Sequence, residues 1–127
     1  MTRRAGDRGS ASVEFAVTAV AVLTLIFAAI QAATYYWARS IAVQAAHEAV
    51  TAQRAYDAPP GAGQDRAERF LATTGDGLSG TTVTVASDGQ QVTATVSGTC
   101  LSVLPGFCAA VGVSATAVGP VERVTPP

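Results

Sequence analysis

Glu14 is a carboxylate at the mouth of an otherwise apolar run that reaches Ala33. A charge at the edge of a membrane span is costly, so it needs a role. Ser10 lies four positions earlier, hence on the same helix face. Cleavage after Gly9 would give Ser10 a new α-ammonium at the helix end, able to pair with Glu14 within a subunit or between neighbours. Such a pair supplies a partner for a carboxylate in lipid and lets its position specify axial stagger. The helix N-terminus favours Glu14 as well, through the macrodipole. The alternative is an interfacial glutamate with no further role.

Other reactive side chains are sparse. Cys100 and Cys108 enclose Leu101-Ser102-Val103-Leu104-Pro105-Gly106-Phe107. Outside the cytoplasm, two cysteines around a Pro-Gly turn favour a disulfide, and their spacing excludes a redox-active CxxC. Closing so short a loop is worth about 2.6 kcal/mol by chain entropy. The lone histidine, His47, has no matched partner for a metal, and with Glu48 it reads as a solvated helix edge. Asp57, Asp65, Asp76 and Asp88 fall in separate loop or turn contexts. Serines and threonines without a nearby base make no nucleophile, and no phosphate-binding glycine loop is present. The expectation is a protein that is not an enzyme and carries no metal or cofactor.

The elements that must position these residues follow from charge and hydropathy. The chain has 127 residues and a formal net charge of -1, which gives no argument for nucleic acid as a partner. Charge placement says more than the total. Arg3, Arg4 and Arg8 precede the apolar run, opposed only by Asp7, so the positive-inside tendency keeps residues 1–9 in the cytoplasm and puts everything after the span outside. From Phe15 to Ala33, with Leu23, Leu25, Ile26, Phe27 and Ile30 as the large members, only Thr18, Thr24 and Gln31 interrupt the apolar character. That stretch is about 28 Å of helix, close to a hydrocarbon core of about 30 Å. Tyr35, Tyr36 and Trp37 follow where an outer aromatic belt belongs.

Beyond the belt the sequence stays helical. Ala38, Ala42, Ala45, Ala49 and Ala52 step by four and three along one face, a small-residue ridge that permits close approach. The expected helix runs from near Ser12 to near Tyr56, roughly 65 Å. Ala58-Pro59-Pro60-Gly61-Ala62-Gly63 breaks it. A short helix should cover Gln64 to Thr73, with Asp65 in its first turn, Phe70 and Leu71 as apolar contacts and Gly75 as terminator. Thr82–Ala86 and Val92–Val96 alternate with period two around Asp88-Gly89, a hairpin signal. With Asp88-Gly89 as the loop, Val85 faces Val92 and Val83 faces Ala94, while Thr84 meets Thr93 and Thr82 meets Thr95. A third strand covers Val111 to Ala117, and Pro120, Pro126 and Pro127 mark a frayed tail. So small a sheet must pack on something, and the alanine ridge is nearest. The expected fold class is α+β, a long N-terminal transmembrane helix whose outer half packs on a three-stranded antiparallel sheet. The divisions are a basic leader (1–9), a transmembrane helix (10–34), its extracytoplasmic extension (35–57) and a small α+β domain (58–127).

Arg8-Gly9-Ser10-Ala11-Ser12-Val13-Glu14-Phe15-Ala16, the Tyr35-Tyr36-Trp37-Ala38 exit and Ala45-Ala46-His47-Glu48-Ala49 resemble the TadE-like pseudopilins of tight-adherence (Flp-type) pilus systems. Gly9, with Glu14 at the fifth position of the cleaved product, resembles the type IV prepilin processing site. The resemblance is concentrated in residues 8–52. It implies a type IV pilin-like fold and a single-pass protein of the bacterial inner membrane. Gly9 and Ser10 would form the processing site of a prepilin peptidase, Glu14 and Phe15 would serve assembly, and the partners would be other pilin subunits and an inner-membrane platform. Phe15, Thr18 and Thr24 depart from a span that is often purely aliphatic. Two other readings stay open: a single-span envelope protein whose outer domain binds a partner, and a secreted domain released after about Ala32. Arg3-Arg4 as a twin-arginine signal has a weak continuation in Ala5-Gly6-Asp7.

Overall fold

The computed structural model describes residues 7–74 and 76–125, with side chains from Gly9 onward. The leader as far as Gly6, the helix terminator expected at Gly75, and Pro126 and Pro127 lie outside the described residues. One helix, α1, runs through Asp7–Arg54 over 48 residues without interruption. Its sequence holds neither proline nor an interior glycine beyond Gly9, so nothing opens the ladder. It ends where Ala58 N–H bonds back to the Ala55 carbonyl at 3.1 Å and Asp57 takes φ 56°. Pro59 and Pro60 then prevent renewal.

The second helix, α2 (Ala62–Thr74), folds back along α1. Gly63 makes this approach possible: a Cβ there would lie 2.6 Å from the Ala49 carbonyl oxygen. Its amide donates to Gln53 Oε1 at 3.1 Å, and Arg66 reaches Glu48 at 2.7 Å. Glu48 is therefore tied to α2, whereas the sequence reading gave it only a solvated edge. Phe70 and Leu71 pack on the core as expected.

Strands β1 (Leu78–Ser87), β2 (Gln91–Cys100) and β3 (Val113–Pro120) form one antiparallel sheet in the order β1-β2-β3. Each is longer than its alternating sequence core. Pro120, expected in a frayed tail, instead ends β3 opposite Gln91. A five-residue helix, α3 (Phe107–Val111), was not anticipated, and it takes Val111 out of the third strand.

The hairpin register differs by two residues from the expectation. Val85 pairs with Ala94 and Val83 with Val96, while Thr84 meets Thr95 and Thr82 meets Ser97. The reason is the Asp88 carboxylate, whose Oδ1 accepts the amides of Gln90 at 2.8 Å and Gln91 at 2.7 Å. That bonding makes Asp88 the residue before the turn and leaves Gly89 (φ 83°) and Gln90 at its centre. A shift of two keeps side-chain parity, so the apolar and hydroxyl faces survive. Thr95 and Thr116 join their hydroxyls at 3.1 Å on the outer face. An irregularity between Ser79 and Thr82 adds a residue to β1 and reverses its parity, which turns Leu78 inward with Val83 and Val85.

The core lies between the sheet and the outer half of α1. Ala38, Ala42, Ala45 and Ala49 of the ridge are fully buried, as is Ala46, against Val92, Ala94 and Val96. Ala52 is half-buried. Small side chains on both surfaces let backbones approach closely, at the cost of little apolar area per residue. The α+β arrangement of a long apolar helix on a three-stranded antiparallel sheet is thus realised, consistent with a type IV pilin-like fold.

Candidate functional site

The inner half of α1 stands clear of the domain. From Gly9 to Ile30 no side chain is buried, and Phe15, Leu23, Leu25, Ile26, Phe27 and Ile30 are all exposed. A soluble protein rarely leaves so continuous an apolar surface bare. Among the described residues, one helix is long and apolar enough to cross a membrane, and this is it.

Ser10 and Glu14 sit one turn apart on this bare helix, both exposed. The two ion pairs among the described residues, Arg54–Glu122 and Arg66–Glu48, leave Glu14 out. The helix already includes Asp7, which places Glu14 about two turns inside it. The macrodipole acts within the first turn, so the uncut chain lacks the helix-end stabilisation expected for Glu14. Ending the chain at Ser10 would bring Glu14 close to the helix end.

At the other limit of the bare segment stands Gln31, only 1 % exposed. Its Oε1 accepts the amides of Val103 at 2.8 Å and Leu104 at 3.0 Å. Its Nε2 donates to Thr34 Oγ1 at 3.2 Å, lies 3.4 Å from the Leu101 carbonyl and 3.1 Å from Cys108 Sγ. Cys100 and Cys108 are joined in the expected disulfide, with Cα atoms 5.5 Å apart. A single amide thus fastens the disulfide loop to α1. The sequence reading counted Gln31 only as an interruption of the apolar run. Its signal was that a polar amide among apolar residues requires partners once buried.

Packing of the domain on α1 therefore begins inside the stretch read as span, before the aromatic trio. Tyr36 and Trp37 are 69% and 62% exposed, as side chains of an interface belt would be. Tyr35 instead packs partly on the core, with its ring edge-on to Tyr36 at 5.9 Å. Among the described residues, no group of three or more His, Cys, Asp or Glu side chains could hold a metal ion. His47 is exposed on α1.

Comparison with known proteins agrees with this geometry. The family model for TadE-like protein matches residues 9–51, which is most of α1 from Gly9 through Ala49 of the alanine ridge. The resemblance read from the sequence is thereby found independently over about a third of the chain. No curated protein and no solved structure gives a match.

Proposed function

We propose, from the TadE-like helix over residues 9–51, that this chain is a pseudopilin acting in assembly of a tight-adherence, Flp-type pilus or a related secretion apparatus. The observation that carries the reading is one continuous helix divided by environment, bare and apolar as far as Ile30 and clothed by a domain from Gln31 onward. A subunit built this way can be stored in the inner membrane by its bare half. It can then be transferred laterally into a helical bundle, where neighbouring subunits replace lipid around the same side chains. The basic leader stays in the cytoplasm and the domain outside. The role is structural rather than catalytic. The partners are membrane lipid, a prepilin peptidase, other pilin or pseudopilin subunits and an inner-membrane platform.

Glu14 is the register element in this reading. Cleavage between Gly9 and Ser10 supplies an ammonium one turn away, and the pair fixes axial stagger between subunits. Intact-mass analysis of native membrane material should find a chain beginning at Ser10, and Gly9→Ala should block the cut. Glu14→Ala should leave membrane insertion unchanged yet reduce incorporation with partner subunits. Normal assembly of that variant would remove the role assigned to Glu14. An uncut chain in cells with an active prepilin peptidase would favour a single-span envelope protein with a partner-binding outer domain.

A further inference from the structure

The segment between the two cysteines is apolar and uncovered. Leu101 is 62%, Phe107 40% and Val103 36% exposed, and Val111, just past Cys108 in α3, is 53%. No charged residue occurs between Asp88 and Glu122, so the loop, α3 and the two strands flanking them are uncharged throughout. Such a patch on an extracytoplasmic domain needs an occupant.

Its height along α1 identifies the occupant. Gln31 holds the Val103 and Leu104 amides, so the loop backbone is level with position 31. Trp37 is six residues further out, about 9 Å at the helical rise. The loop therefore hangs below the aromatic belt, beside the last residues of an apolar run that matches the hydrocarbon thickness. Exposed Phe27 and Ile30 lie within about one turn below Gln31 on the same helix. A groove lined by Ala33, Thr34, Trp37, Gly77 and Leu101, with Asp76 and Thr74 beside it, opens next to the loop. Asp76 is the charged residue of that lining.

We infer that the Cys100–Cys108 loop is a second membrane contact, its Leu101, Val103 and Phe107 side chains resting in the outer interfacial layer of the lipid bilayer. The disulfide and Gln31 give the loop a fixed depth on α1, so the domain meets the bilayer through this loop as well as through the spanning helix. This inference rests on the transmembrane reading of α1. Lipid is favoured over a protein partner because the loop's height is set by the same helix that spans the membrane.

The test uses the full chain in phosphatidylethanolamine–phosphatidylglycerol vesicles containing a lipid with a nitroxide near the headgroup. Single tryptophans are placed on a Trp37→Phe background at Phe27→Trp, Phe107→Trp, Leu101→Trp and Val118→Trp, with the disulfide verified by mass. Val118 is exposed near the far end of β3. Expected are lipid quenching at positions 27, 101 and 107, several-fold weaker quenching at 118, and iodide access at 118 only. Quenching at 27 with iodide access at 101 and 107 would overturn the inference while leaving the span intact. Shielding of 101 and 107 from both agents would also overturn it, by assigning the patch to protein. Loss of lipid quenching at 27 as well would remove the transmembrane reading and the inference together.

Discussion

Gln31 and Asp88 show how much one polar side chain decides here. Gln31 supplies the acceptor for two loop amides, and Gln31→Leu leaves both without it. Each lost bond costs about 0.5–1.5 kcal/mol, because these amides are only partly shielded from water. Urea unfolding of the detergent-solubilised protein should show that loss, with fast hydrogen exchange at Val103 and Leu104 while the sheet stays protected. Asp88 acts through its charge. The Gln91 amide, then the Gln90 amide, holds its carboxyl below the ordinary value of 3.8. Because the folded value is depressed, its contribution is complete above about 3.8 and is lost as pH falls through the lower folded value. The amide shifts of Gln90 and Gln91 should therefore follow a single titration whose midpoint lies below 3.8. Asp88→Asn should abolish that titration, and a midpoint at or above 3.8 would contradict the assignment.

At the scale of elements, the close approach of α2 to α1 depends on Gly63. Gly63→Ala places a methyl against the Ala49 carbonyl, where backbone must move because no flexible side chain can yield. Overpacking of this kind costs about 1–3 kcal/mol. Thermal melts should fall accordingly, and amide exchange should rise in α2 before the sheet. Gly61→Ala, where a Cβ has open space but φ is 85°, separates backbone strain from crowding at the same helix start. Its α2–α1 contacts should survive. The sheet relies on β2, which is paired on both sides and carries the fully buried Val92, Ala94 and Val96.

For the molecule as a whole, the modest core makes the covalent link important. Among the described residues the largest fully buried side chains are Gln31, Val92, Val96 and Cys108, and none of them is aromatic. Replacing both cysteines by serine should lower stability by about 2.6 kcal/mol from chain entropy. Equilibrium unfolding with and without reductant checks this, the serine variant being insensitive to reductant. Far-UV circular dichroism in detergent should retain much of its helical signal when the domain unfolds, since the bare half of α1 makes no contact with the domain that its order could depend on. The two ends of α1 thus answer to different solvents.

Residue order alone determined what depends on near neighbours: the apolar run, the break at Pro59-Pro60, the strand periods, the alanine ridge and the Gly9–Glu14 spacing that resembles TadE-like pseudopilins. These are legible because helix and strand repeats bring residues a few positions apart onto one face. The hairpin register was wrong by two because a side-chain cap, not the Asp-Gly pair, located the turn. The helix α3 and the Gln31 anchor were illegible for other reasons. The short α3 is held by local bonds from Phe107, Ala110 and Gly112 to carbonyls three or four residues back, too brief a turn for an apolar period to reveal. The Gln31 anchor joins groups about 70 residues apart, and the partner of its buried amide is chosen only when the sheet has closed on the helix.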